Sequence, residues 1–412
     1  MSTKKKKTGG LGRTLLICDP TCVLPYGHTV PALNHFRKDL GGDFDAVHCL
    51  ASTGLPKEVA AEFGFDRRFT FLYNRYIPIM SPAQSNQIVN QHPAFDDDYA
   101  DPFERVATYD AAGTLADYKI TSDDVIFFPG ADFYGVVGFL NALADTPQTG
   151  RPTVYIRLIG VLEGSSPYYD DGSAQFFKRV RAASEGGLDI RLSAETPEYA
   201  DLISGLTGLT TFVTPYPETS EQVPLPDGDD FTVLCAGSAR LDKGFLDLFA
   251  IARESMANPP KKMGLKFVTQ TLPLKGHEHW DSYTSQLYAL RGVTLLDPVI
   301  TSEKMHDLYR DSDIVLLPYA RDVYRLRGSA VMMEAASVGR LCITLRGTAF
   351  ARQVEYYGLG DLVDEPSQMP AAIRRLANGG RDEMAERIRQ ARARFYLDVR
   401  CSYENWFRSE RG

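Results

Sequence analysis

The chain has 412 residues, 44% of them apolar and 24% charged, a composition of a globular protein too long for one ordinary core, so two domains are expected. Its net charge of -8 argues against a nucleic-acid binder, because phosphate-backbone recognition needs a basic face. No apolar run approaches ~20 residues, which argues against a membrane-spanning helix.

Residues 1–13 read as a disordered basic tail around Lys4-Lys5-Lys6-Lys7. The apolar stretch that follows, Leu15-Leu16-Ile17, is a first strand rather than a secretory leader, so a cytoplasmic location is expected. The lysines offer at most a weak contact with the inner face of an anionic membrane. Cys18, Cys49, Cys235 and Cys342 sit in apolar runs, as reduced buried thiols do, and no Cys/His spacing suits zinc, so no metal is expected.

From Thr14 the pattern alternates short β-rich runs with helical stretches, the signature of parallel sheets with crossover helices. Strands are expected at Thr14–Cys18, Ala46–Leu50, Val125–Phe128, Thr153–Leu158, Ile190–Ser193 and Thr211–Val213, with a helix facing inward through Val30, Leu33, Phe36 and Leu40. Tyr76–Asp117, with Asp96-Asp97-Asp98 and several aromatics, reads as a surface excursion or an insertion lining a substrate. Residues 214–230 hold four prolines and no helical period and form the expected linker between a first domain, 14–213, and a second, 231–380. The second domain restarts the alternation: Phe231–Ala236, a helix over about 243–257, Leu265–Thr269, Val293–Leu296, a helix near Ser302–Asp311, Ile314–Leu317, a helix over about 329–338 and Leu341–Leu345. A charged helix closes the chain over about 381–408.

Two segments carry chemistry. Gly237-Ser238-Ala239-Arg240-Leu241-Asp242-Lys243-Gly244 brings two cations to an expected helix start, where they are unfavourable unless an anion arrives. Gly328-Ser329-Ala330-Val331-Met332-Met333-Glu334-Ala335 brings small residues and free amides to another, with a carboxylate farther in. Together they suit a nucleoside diphosphate: Arg240, Lys243 and the amides of Ser329 and Ala330 for phosphate, Glu334 for a ribose. Ser329 also suits a plain N-cap, and Glu334 a solvated helical stripe.

In the first domain, Gly27 and His28 occupy the first strand-to-helix turn, where a plain turn glycine and a structural histidine serve equally well. Arg157, flanked by apolar residues, must be paired or face a cleft. Asp132 suits either an acceptor hydroxyl or the cap of a turn.

These residues resemble a glycosyltransferase of the GT-B architecture, most nearly the family 4 retaining enzymes. Gly237–Gly244 is similar to the family's Gly-Arg-x-x-x-Lys-Gly segment, and Leu326–Leu341 to its Glu-Gly-x-Gly-x-x-x-x-Glu-Ala-x-x-x-Gly-x-Pro-Val run. Val299-Ile300-Thr301-Ser302 resembles the loop that packs on the nucleobase. The likeness covers most of 231–365 and is looser before it.

The resemblance implies an α/β fold of two Rossmann-like domains with parallel sheets facing across a cleft, the second binding a nucleotide-sugar donor and the first an acceptor, with helix 381–408 packing back on the first. It implies hexosyl transfer with retention, without metal or cofactor, to a carbohydrate, glycolipid or other hydroxyl. The first glutamate of the family run falls at Leu326; Tyr324-Arg325-Leu326-Arg327-Gly328-Ser329 is nearer a variant in which one arginine, Arg325 or Arg327, faces the donor. That departure leaves open a nucleotide-sugar-binding protein without transferase activity. A dinucleotide oxidoreductase is disfavoured, because no Gly-x-Gly-x-x-Gly follows Cys18.

Overall fold

The computed structural model describes residues 12–25, 29–70, 101–159, 172–216, 221–237, 240–261, 263–271, 280–298 and 300–408. The chain divides into two compact units, residues 1–194 with 200–212 and 410–412, and residues 195–199 with 213–409. Among the described residues, no helix is long and apolar enough to cross a membrane.

The first unit is built on seven strands: β1 (Thr14–Asp19), β2 (Ala46–Ser52), β3 (Asp66–Phe69), β4 (Val125–Phe128), β5 (Thr153–Leu158), β6 (Ile190–Ala194) and β7 (Thr211–Val213), in the order β3-β2-β1-β4-β5-β6-β7. The second unit has six: β8 (Asp230–Cys235), β9 (Gly264–Gln270), β10 (Val293–Leu296), β11 (Ile314–Leu317), β12 (Leu341–Leu345) and β13 (Gly360–Val363), in the order β10-β9-β8-β11-β12-β13. β1 pairs in parallel with both β2 and β4, and β8 with both β9 and β11. Helices cover both faces, so the central strands run as unbroken apolar stretches, Leu15–Cys18 and Ile314–Leu317 among them, all buried. Both units are therefore Rossmann-like. Each sheet reverses its strand order beside its first strand, where ligands of such folds bind at the carboxyl ends of the strands.

Two edge strands, β3 and β13, were not expected. The first is Asp66-Arg67-Arg68-Phe69 and the second opens on glycine, so neither shows an apolar run. The segment expected as a surface excursion ends in a helix, Pro102–Asp117, which packs on Phe133–Ala144. Asp101 caps it, accepting from the amides of Phe103 and Glu104, and Val106, Ala107 and Ala111 are buried. Residues 71–100, with Asp96-Asp97-Asp98, lie outside the described residues.

The proline-rich stretch expected as the linker is tied to the second unit at several points. The guanidinium of Arg340, only 1% exposed, donates to the carbonyls of Val223, Pro224, Tyr309, Arg310 and Gly339 at 2.8–2.9 Å. Val223 also donates its amide to Val338 O, and Tyr403 its hydroxyl to Pro215 O. The final helix, Arg381–Arg408, packs on helices Ala330–Val338, Ala349–Tyr357 and Met369–Gly379.

At the strand reversal of the second unit, the turn after β8 is bound to the loop after β11. Gly244 has φ +69°, and a Cβ there would overlap the carbonyl of Pro318, while Ala320 donates its amide to Asp242 O at 2.9 Å. Gly244→Ala should therefore destabilise the protein by roughly 1–3 kcal/mol. Gly205→Ala, at a helical site with nothing within 4 Å of the new Cβ, should be neutral or mildly stabilising. Denaturant unfolding of both variants checks this; equal stabilities would refute the packing argument.

Candidate functional site

The carboxyl ends of β8 and β11 bring together most of the residues singled out in the second half of the sequence. One expectation fails locally. The segment after β8 does not pass directly into a helix; it forms two 3-10 turns, Leu241–Lys243 and Phe245–Asp247, and the α-helix begins only at Leu248. The left-handed backbone at Gly244 separates the turns, so turn geometry rather than a helix start positions the cations.

Lys243 is half-buried. Its ammonium lies over the Tyr319 ring, 5.4 Å from the centroid, and directly beneath Gly237, where any side chain would collide with it. Among the described residues it makes no hydrogen bond or ion pair. Burial, reinforced by the neighbouring charge of Arg240, pushes its pKa down to about 8. An ammonium so placed favours the arrival of an anion.

Arg240 stands differently. Its Nε donates to Asp242 Oδ1 at 2.8 Å and its Nη2 to Asp242 Oδ2 and to Tyr324 Oη, the latter at 3.2 Å. This fork raises the arginine's pKa; burial opposes the ionised Asp242, but Arg240 and Tyr324 hold its carboxyl below the usual range. Arg327 places its guanidinium 5.0 Å from the centre of the Tyr324 ring and adds to the positive field at Lys243. Arg325 is exposed. The structure thus separates the two arginines that the sequence could not: Arg327 belongs to the cluster.

Ser329 caps helix Ala330–Val338, its Oγ accepting from Met332 N at 3.2 Å, and Ala330 is the first helical residue. Glu334 projects from the next turn, where Oε2 accepts from Tyr309 Oη at 2.8 Å. Burial, and then the charge of Glu334, keep that phenol protonated as a donor. Leu326, at the expected glutamate position, is held through its backbone by Thr196 Oγ1, at 2.6 Å.

Ile300 is half-buried, beside Thr301, which caps helix Ser302–Arg310. Gln270, at the end of β9, ties this region to the β8 loop: it accepts from Gly237 N at 3.1 Å and donates to Pro298 O at 3.3 Å. Val299, like Gly27 and His28, lies outside the described residues.

In the first unit, Asp132 and Arg157 lie at the carboxyl ends of β4 and β5. Asp132 is fully buried and caps helix Phe133–Ala144, accepting from the amides of Tyr134 and Gly135 at 3.1 Å. Arg157, also buried, donates Nη1 to Pro129 O at 3.0 Å. Asp19, which the sequence reading passed over, ends β1. It accepts from the amide and hydroxyl of Thr21, and burial pushes its pKa up to about 6.

Sequence reasoning also missed Asp242, Tyr309 and Gln270 as partners. Asp242 stood inside the quoted motif, and a carboxylate two residues from an arginine was the available signal. Tyr309 and Gln270 gave none, because their partners are brought close only by the fold.

No protein-family model matches the chain, and no curated protein matches it significantly. Solved structures do. Each of three covers 96% of this chain and 99% of its own. They are trehalose-6-phosphate from E. coli bound with UDP-2-fluoro glucose (11% identity, TM-score 0.60), the apo lipopolysaccharide outer core galactosyltransferase WaaB (14%, 0.60) and HepE of Anabaena in complex with UDP (13%, 0.62). At such identities the likeness establishes the fold: paired Rossmann-like units of the GT-B type.

The buried ammonium carries a testable cost. Lys243→Met should stabilise the ligand-free protein at neutral pH by about 1–2 kcal/mol, allowing for solvent screening of a half-buried charge. The folded-state pKa lies below the unfolded one, so the penalty is full below about pH 8 and fades as pH rises towards 10.5. Thermal unfolding of both proteins at pH 7 and 10 measures it; a less stable variant at pH 7 would show that Lys243 has a stabilising partner.

Proposed function

We propose that the protein is a glycosyltransferase that moves a hexosyl group from a nucleoside-diphosphate sugar to an acceptor hydroxyl, with retention and without a divalent metal. The observation that carries this reading is the Lys243 ammonium. It is half-buried without an ion-pair partner among the described residues, and it lies with Arg240 and Arg327 at the strand reversal of a Rossmann-like sheet. The shared fold with structures in complex with UDP and UDP-2-fluoro glucose supports a nucleoside diphosphate as the anion, and uridine as the first nucleotide to test.

In this reading Lys243 and Arg240 bind the diphosphate, helped by the first amides of helix Ala330–Val338 beside Ser329. Arg327 rather than Arg325 supplies the further positive charge. Glu334, with Tyr309 holding one oxygen, accepts from the ribose hydroxyls, and Val299 and Ile300 pack on the base. The bond from the anomeric carbon to the phosphate oxygen breaks, and its electron pair leaves with the diphosphate. Charge therefore grows beside Lys243 and Arg240, where stabilisation accelerates the reaction. The acceptor oxygen bonds to the anomeric carbon on the face the diphosphate leaves, and its proton passes to a phosphate oxygen. The acceptor, a carbohydrate, glycolipid or other hydroxyl, belongs with the first unit, where Gly27, His28, Asp132 and Arg157 are the candidate contacts.

A thermal-shift screen of UDP-, GDP- and ADP-sugars tests donor binding, since a tight ligand raises the melting temperature by mass action. One donor class should raise it, and Lys243→Ala and Arg240→Ala should each weaken that donor by about 10–100-fold, the scale of one charge-assisted hydrogen bond. Glu334→Ala should weaken a ribonucleotide more than its 2′-deoxy analogue. No shift with any of the three classes would refute the proposal.

A further inference from the structure

Asp242 is not among the residues assigned to the ligand above, yet it is the one carboxylate that pairs with a cation of the cluster among the described residues. Its carboxylate engages Nε and Nη2 of Arg240, and Tyr324 donates its hydroxyl to Asp242 Oδ2 at 3.2 Å. The same fork leaves Nη1 of Arg240 without a hydrogen bond among the described residues. Three groups thus close a ring: the guanidinium, the carboxylate and the phenol, with Nη2 also reaching the phenol oxygen at 3.2 Å.

Resting on the proposed function, we infer that Asp242 and Tyr324 are positioning residues that fix the Arg240 guanidinium by two of its nitrogens and present the third, Nη1, to the distal phosphate of the bound nucleoside diphosphate. The opposite role, in which Asp242 competes with phosphate and must swing away, fits the surroundings less well. The carboxylate is anchored from two sides: by Tyr324, and by its own backbone, whose carbonyl accepts from Ala320 N at 2.9 Å. Tyr324 is itself immobilised. Its ring contacts Tyr319 at 4.7 Å and Phe350 at 5.8 Å between centroids, it lies beneath Arg327, and its backbone is bonded to Ala320 and Ala349.

Two consequences follow from holding an arginine in this way. Its rotamer freedom is lost before the ligand arrives, so less is lost on binding. And one of three clustered cations is paired internally, which lessens the repulsion that adds to burial in disfavouring the Lys243 ammonium. The cluster then meets a diphosphate with one oriented donor and two charges lacking an ion-pair partner, instead of three competing ones.

Calorimetric titration of UDP and UMP into the full-length protein tests the inference. Asp242→Asn should weaken UDP about tenfold and Tyr324→Phe about threefold, the scale of one and of a fraction of one charge-assisted hydrogen bond. UMP, with one phosphate fewer, should change much less. In an Arg240→Ala background, Asp242→Asn should have no further effect on UDP, because a positioning residue acts only through the group it positions.

UDP binding equal to or tighter than wild type in Asp242→Asn would establish competition and overturn the inference, with the function intact. An equal loss for UDP and UMP, or a loss that persists without Arg240, would reduce Asp242 to a structural role and overturn it too. If Asp242→Asn fails to fold, Tyr324→Phe reads the same coupling through its UDP-to-UMP ratio, and an unchanged ratio would overturn it. Failure of the wild type to bind any of UDP, GDP and ADP would overturn the functional reading together with it; where GDP or ADP binds instead, that diphosphate and its monophosphate replace UDP and UMP in the same titrations.

Discussion

The end of the first strand of the second unit holds a half-buried ammonium. Lys243 is held under Gly237 and over the ring of Tyr319, on a turn closed by a left-handed glycine that leaves no room between itself and Pro318. Together these constraints hold a cation at the end of β8 with no ion-pair partner among the described residues, although the carboxylates of Asp242 and Glu334 are near enough to favour its charge. A fold selected for stability alone would place methionine or leucine there. In the proposed function the energy withheld from folding is available to the donor's diphosphate, which removes the penalty when it binds.

Much of this was legible in the sequence, for physical reasons that differ by element. The central strands read clearly because both faces of a parallel sheet are buried, which forces unbroken apolar runs such as Ile314–Leu317. The cation and small-residue motifs read clearly because backbone close approach and helix N-termini demand particular residues at fixed spacing. What escaped was non-local. Arg340 is an arginine inside an apolar context, and only the fold brings five carbonyls around it. Helix Pro102–Asp117 escaped because its buried face includes carboxylates: Glu104 is matched by Arg179 and Asn141, and Asp110 by Thr70, so no clean apolar stripe remains. The edge strands β3 and β13 escaped because an edge needs little apolar sequence.

Within the site the sequence reading and the geometry part over the two cations. It brought Arg240 and Lys243 together as equivalents, whereas one is braced by Asp242 and Tyr324 and the other has no ion-pair partner among the described residues. Sequence spacing cannot separate these cases, since a carboxylate at i+2 reaches back only when the backbone turns. Here it turns because Leu241–Lys243 is a 3-10 turn followed by a left-handed glycine. The same spacing in a continuous helix would point Asp242 away from Arg240.

The two sheets share one strand order, yet their reversal points are electrically unlike. In the first unit, Asp19 and Asp132 are buried carboxylates engaged by the turn and cap beside them. In the second, Lys243 and Arg327 contribute charge with no carboxylate paired to either among the described residues, and Glu334 is engaged by Tyr309. In the proposed function the charged end of the donor therefore belongs with the second unit, because an anion gains more from cations without an ion-pair partner than from buried carboxylates. In the proposed reaction this bias also acts on rate. A sugar-linked diphosphate gains negative charge as its glycosidic bond breaks, so a positive field lacking local neutralisation favours the departing group over the intact donor. That difference is the part of binding energy that lowers a barrier instead of merely filling a site.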